Sequence, residues 1–189
     1  VIQMHYNQNT DPDTMDAIHK LIEGKKIMVL CGQMPENLRL LQALETFADQ
    51  SNVAVLTENT SNLPSKKFNA CIDRSLNKLN KSVSAAYAPE ILISIGGAVV
   101  SKRIKSFLRT ANLEAHIRVG VHFPEMDTYQ HLTHSVVCHP ELFFEALNGR
   151  MQSLSPHNFA GKWKQLDYEI QDRMPHFKLA DDLLTDFHV

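Results

Sequence analysis

Short, unbroken apolar runs recur along this chain, alternating with stretches of helical spacing. The runs are KKIMVLCG (25–32), NVAVLTE (52–58), PEILISIGG (89–97), EAHIRVGV (114–121) and HSVVCH (134–139). A strand with almost no polar alternation has to be buried on both faces. That condition is met in a parallel sheet covered by helices on both sides. Between the runs, residues 12–22 place Met15, Ile18, Leu21 and Ile22 at helical spacing, with Thr10 or Asp11 as cap and Pro12 in the first turn. Residues 36–50 repeat Leu38, Leu41, Leu44 and Phe47. A weaker helical pattern covers 71–80. Residues 98–112 carry Val100, Ile104, Phe107, Leu108 and Ala111 on one face, and 140–150 open on Pro140 and stop near Gly149.

This order predicts an α/β fold: a doubly wound, Rossmann-like parallel sheet of about five or six strands with helices on both faces. The stretch after residue 150 differs. Residues 155–174 predict a helix with Phe159, Trp163, Leu166 and Ile170 on one face, and 178–189 a last short amphipathic piece. The expected division is a central α/β domain over 1–154, then a connecting helix and linker over 155–189.

At 189 residues the chain suits one domain with an appendage. Its 43% hydrophobic and 21% charged residues are globular proportions, and a net charge of −2 speaks against a general nucleic-acid or membrane-surface binder. No apolar run approaches bilayer length. The start, VIQMHY, has no signal pattern and no initiator Met, as expected for a processed chain or an excised segment. The cysteines, Cys31, Cys71 and Cys138, are widely spaced and lack a CxxC pair, which fits reduced thiols in a cytoplasmic protein. His131 and His134 have a spacing that suits a metal, but no third ligand accompanies them, and no metal site is expected.

In a doubly wound sheet, ligands bind beyond the carboxyl ends of the strands. The loops there are CGQMPEN (31–37), TENTSN (57–62), GGAVVSKR (96–103) and HFPEMD (122–127). Neither GxGxxG nor the P-loop pattern occurs in them. Gly32, Gly96 and Gly97 read as tight strand-to-helix turns, with close approach to an anion as the alternative. His139 before Pro140 reads as a cap or surface residue. Asp127, Tyr129 and His131 share a polar loop without an inferable triad, so no catalytic residue is expected here.

The anomaly is Ser101-Lys102-Arg103. Two cations in the first turn of a helix oppose the helix dipole at a cost of a few tenths of a kcal/mol. A bound dianion would reverse the sign of that cost. Arg can fork onto a carboxylate while Lys supplies a point charge. On physics alone, a ligand site and an accident of the surface both stay open.

At PEILISIGGAVVSKRIKSFLR, with DTYQHLTHSVVCHPELFFEAL after it and KKIMVLCGQMPEN before it, the chain resembles the central domain of thiamine-diphosphate-dependent enzymes. Within them it is similar to the 2-succinyl-5-enolpyruvyl-6-hydroxy-3-cyclohexene-1-carboxylate (SEPHCHC) synthases of menaquinone biosynthesis. The likeness covers about residues 1–175 and is most specific at Gly96–Arg103. It implies a transferase that decarboxylates 2-oxoglutarate on thiamine diphosphate with Mg2+ and adds the product to isochorismate. It implies that Lys102 and Arg103 contact the isochorismate carboxylates, with Ser101 positioning the turn. The family's cofactor is held by N- and C-terminal domains between subunits of a homo-oligomer. The GDG…N motif of that site is absent from this sequence. The resemblance therefore implies a fragment that binds no cofactor and is inactive alone. Two rival readings remain: a stand-alone nucleotide or dinucleotide module, and a purely structural spacer.

Overall fold

The computed structural model describes residues 3–6, 11–79, 84–151 and 157–173. Six strands form one sheet: β1 (Gln3–Tyr6), β2 (Ile27–Cys31), β3 (Val53–Thr57), β4 (Ile91–Ile95), β5 (Ala115–Val119) and β6 (Leu132–Val137). The helices are α1 (Pro12–Ile22), α2 (Leu38–Phe47), α3 (Ile72–Lys78), the single turn α4 (Ser84–Tyr87), α5 (Lys102–Thr110), α6 (Pro140–Asn148) and α7 (Phe159–Arg173). A 3-10 turn, Asn59–Ser61, follows β3.

The strand order is β1-β6-β5-β4-β2-β3, and every pair is parallel. The expected doubly wound sheet is therefore present. The chain runs outward from β2 to the edge at β3, then returns to β4 on the other side of β2. That reversal opens a crevice at the carboxyl ends of β2 and β4, the place where such sheets receive ligands.

Strand residues alternate between two cores. Ile27, Val29 and Cys31 join Met15 and Ile18 of α1, Leu44 and Phe47 of α2, and Phe143 and Phe144 of α6. Met28 and Leu30 join Ile72 of α3, Ile104 and Leu108 of α5, and Phe159, Trp163, Leu166 and Ile170 of α7. Helices on both faces explain why β2, β3 and β4 are apolar almost without interruption. Toward β5 and β6 the second face turns polar. Ser94, Arg118 and Ser135 lie in one row across three strands, next to His116. The loop 120–131 covers this row: Ser135 Oγ donates to the Pro124 carbonyl, and Tyr129 is buried.

Several local expectations need correction. The helix expected over 98–112 begins at Lys102, because Ser101 is its N-cap with a non-helical backbone. Val100 precedes the helix and is 71% exposed, so it is not part of the apolar face. Leu38, at the first position of α2, is also exposed, and the buried stripe runs through Leu40, Ala43, Leu44 and Phe47. Strand β1 was not expected, since its sequence has no apolar run. The piece expected over 178–189 lies outside the described residues.

Candidate functional site

Lys102 and Arg103 occupy the first turn of α5, at the carboxyl edge of the sheet, as the sequence predicts. Both are exposed, and among the described residues neither has a hydrogen bond or ion pair. Ser101 caps the helix: its Oγ accepts from the Ile104 amide at 3.1 Å and donates to Asp73 Oδ1. The Glu58 carboxylate accepts from the Val100 and Ser101 amides, each at 2.8 Å. Glu58 is anchored in turn by Ser61, whose Oγ accepts from the Glu58 amide at 3.1 Å and donates to the Cys31 carbonyl at 2.6 Å.

The chain thus supplies its own anions to the start of α5. Glu58 and Asp73 offset the unfavourable placement of the two cations against the dipole. Glu58 also takes up the Val100 and Ser101 amides, and Asp73 the Ser101 hydroxyl. Lys102 and Arg103 are left projecting from a fixed backbone with no partner among the described residues. Sequence reading missed Glu58 and Asp73. Glu58 lies at the end of β3, and β2 separates β3 from β4, so only the strand order reveals that it reaches this turn.

The loops after β2 and β4 are zipped together beside this turn. The Gly32 amide donates to the Ile95 carbonyl at 3.0 Å, Gln33 to Ala98 at 3.0 Å, and Gly97 to Gln33 at 2.7 Å. A Cβ on Gly32 would stand 2.2 Å from the Gly97 oxygen, so glycine is required there by close backbone approach. Gly96 has φ +74°, a left-handed conformation. The tight-turn reading of these glycines fits this geometry.

Next to the zipped loops lies a cavity of about 490 Å³, lined in part by Met34, Pro35, Gly96, Arg118, Phe123 and Pro140. Arg118, on β5, is 4% exposed. Its Nη2 donates to the Gly96 carbonyl, and its Nε has no partner among the described residues. Burial pulls its pKa below the ordinary arginine value, yet a guanidinium stays charged at neutral pH. The signal for it was present in EAHIRVGV, where one cation interrupts a buried run.

The other sequence candidates separate. His116 is buried, with Nε2 2.8 Å from Ser94 Oγ and Nδ1 3.8 Å from Asp127 Oδ1. The order of hydroxyl, imidazole and carboxylate resembles a nucleophilic triad. However, Ser94 is 5% exposed, and the imidazole-to-carboxylate gap exceeds a hydrogen bond. Asp127 Oδ1 instead accepts from the His131 and Leu132 amides, and Tyr129 packs edge-on against His116 at 5.4 Å. These groups tie the loop 120–131 to the sheet. His131 Nε2 lies 3.3 Å from the Arg109 carbonyl oxygen, and His134 Nδ1 lies 2.8 Å from Thr133 Oγ1. His139 stands at the N-cap position of α6 without a side-chain capping bond. Among the described residues, no group of three His, Cys, Asp or Glu could hold a metal ion, and no helix is long and apolar enough to cross a membrane. Cys31 and Cys138 are buried, and burial raises both thiols, Cys138 to about 11.

A family model described as the middle domain of thiamine pyrophosphate enzymes matches residues 2–178. Among curated relatives, a protein of Porphyromonas gingivalis is 28% identical over 156 residues, covering 79% of this chain and 27% of that protein. One from Flavobacterium psychrophilum is 30% identical over 148 residues, covering 78% of this chain and 27% of the relative. One from Flavobacterium johnsoniae is 34% identical over 138 residues, covering 72% and 25%. All three are named 2-succinyl-5-enolpyruvyl-6-hydroxy-3-cyclohexene-1-carboxylate synthase. The chain spans about a quarter of the length of these relatives.

Proposed function

The chain belongs to the family of thiamine pyrophosphate enzyme middle domains, and from that premise we propose that it serves as the middle domain of a SEPHCHC synthase, supplying Lys102 and Arg103 to the isochorismate carboxylates. The observation that carries this reading is the state of that pair. Two exposed cations stand on a turn braced by Ser101, Glu58 and Asp73, with no partner of their own among the described residues. Isochorismate carries two carboxylates, and a guanidinium beside an ammonium suits two such groups. Glu58 occupies the Val100 and Ser101 amides, and a substrate anion would meet the Lys102 and Arg103 side chains. The pair would orient the ring and stabilise charge that develops as the new bond forms.

The described residues do not fit the cofactor. The GDG…N pattern is absent, and no acidic or histidine cluster suits a diphosphate-bound metal. In this reading thiamine diphosphate and Mg2+ belong to N- and C-terminal domains outside this chain, and no step of their chemistry is assigned to its residues. Residues 1–154 form the α/β body in this reading, and 155–189 the connecting helix and linker. The reading extends to a cytoplasmic homo-oligomer whose substrates are small molecules, with no nucleic-acid or membrane partner.

The test uses the full synthase that contains this chain. Lys102→Ala and Arg103→Ala should each lower kcat/KM for isochorismate by about ten- to a hundred-fold, the loss of one charge-assisted contact. Decarboxylation of 2-oxoglutarate should be unaffected, and the 189-residue chain alone should form no product. Unchanged isochorismate kinetics in both variants would leave the domain a structural spacer.

A further inference from the structure

We propose that α3 is a relay between α7 and the Lys102–Arg103 turn, with Asp73 and Asp167 as positioning residues for the isochorismate-binding pair. This role rests on the reading of that pair as isochorismate ligands, and it adds what controls their aim.

One set of contacts ties α3 to α5. Asp73, in the first turn of α3, accepts from the Ser101 hydroxyl, and that hydroxyl accepts from the Ile104 amide at 3.1 Å. Ser101 is buried, so its hydroxyl needs an acceptor inside the protein. Asp73 supplies it and turns the oxygen lone pairs toward Ile104. Lys102 and Arg103 are the residues between the two ends of that capping bond. A cavity of about 430 Å³ opens beside the turn, lined in part by Glu58, Cys71, Asp73, Val100 and Ser101. On that side directed polar bonds hold the turn, and it has space to move into when one is lost. A small displacement of a substrate-positioning group is enough to slow a reaction.

A second set ties α3 to α7. Ahead of α3, the Asn69 backbone amide donates to the Val55 carbonyl at 2.8 Å, and its side-chain amide donates to the Trp163 carbonyl at 2.8 Å. At the helix start the Cys71 thiol faces the Asp167 carboxylate; burial first, then that charge, raises the thiol above its ordinary pKa. At the helix end Lys78 pairs with Glu169. Asp167 is 9% exposed, and its Oδ2 accepts from Gln171 at 2.8 Å. Its Oδ1, Ser75 Oγ and Trp163 Nε1 are buried with no hydrogen-bond partner among the described residues. Apolar groups of the same volume would make the stronger contact. An incompletely bonded polar seam instead lets α3 slide on α7 at small cost, and a slide carries Asp73 with it. In the reading above α7 leads toward the cofactor domain, so the relay links that domain to the aim of the two cations.

The experiment uses the full synthase that contains this chain. Asp73→Ala should lower kcat/KM for isochorismate about five- to ten-fold, the weight of one hydrogen bond, and Asp167→Ala about three-fold. Asp73→Asn, whose amide oxygen still accepts from Ser101, should keep most of the activity. Added to the Lys102→Ala/Arg103→Ala enzyme, neither Asp→Ala change should lower the rate by more than about two-fold, because its effect passes through the pair. Gly24→Ala, a destabilising change remote from α3, should leave kcat/KM as it is. Amide hydrogen exchange at Ile104 should quicken at least about five-fold in both Asp→Ala variants. Unchanged kinetics in both, an undiminished effect without the pair, an equal loss in Gly24→Ala or unchanged exchange overturns the relay. So does a loss in Asp73→Asn as large as in Asp73→Ala. Faster exchange together with normal isochorismate kinetics in the Lys102→Ala/Arg103→Ala enzyme overturns the reading of the pair, and with it the role of α3 in holding isochorismate, while the brace itself stands.

Discussion

Single residues decide two properties of this chain. Glu58 crosses beneath the β4–α5 turn and fixes the backbone from which Lys102 and Arg103 project. The cations, and Ser101 with its hydroxyl, were legible in the sequence because they break a local rule about helix starts. Glu58 was not, because its role depends on which strands are neighbours. His116 is the second case. Burial pulls its imidazole down to about 4 from 6.5; Asp127 works against that shift, while Arg118 and His131 add to it. The folded state thus holds this group neutral while the unfolded chain protonates it near 6.5. The stability it contributes is complete above that value and is lost as pH falls toward 4. The difference amounts to at most about 3 kcal/mol. Urea unfolding at pH 7.5 and 4.5 should show a stability loss that is distinctly smaller in His116→Gln. Equal losses in the two proteins would mean that other groups carry the acid sensitivity.

At the scale of elements, the apolar runs located β2 to β6, and Pro12 and Pro140 marked the first residues of α1 and α6. Strand β1 escaped because a four-residue edge strand contributes backbone pairing to β6 rather than an apolar run. The start of α5 was placed too early. Val100 looks helical by spacing, but the Gly32–Ile95 and Gln33–Ala98 bonds tie the preceding chain to the loop after β2. That zipper makes a sharp demand. Gly32→Ala sets a methyl against the Gly97 carbonyl, which cannot withdraw without breaking the pairing, and should cost about 3 kcal/mol. Gly24, with φ +69° and nothing within 4 Å, has only its conformation to lose. Gly24→Ala should cost about 1 kcal/mol. Urea midpoints compare the two directly. Similar small losses would show that the zipper relaxes freely.

Over the whole molecule, the second core depends on α7, read from the sequence as a connecting helix packed on the sheet domain. Trp163 is fully buried and meets Tyr87 edge-on at 5.7 Å, and the Asn69 amide donates to the Trp163 carbonyl at 2.8 Å. Trp163→Ala should cost about 4 kcal/mol. A chain ended at residue 154 should lose its sharp unfolding transition and its near-ultraviolet circular dichroism. Retention of both would mean that 1–154 is self-sufficient. The parallel sheet itself has a further consequence. Every strand points the same way, so Lys102, Arg103, Arg118, Phe123 and the zipped loops all gather at one edge of the sheet. The opposite end carries short returns such as Gly24–Lys26, Ala88–Glu90 and Asn112–Glu114, with Lys25 paired to Glu114 at 2.7 Å. A fluorophore or surface tether attached at Asn112 therefore sits a full strand length away from the Lys102–Arg103 turn. A surface made that way would present the Lys102–Arg103 end of the sheet to solution in a uniform orientation.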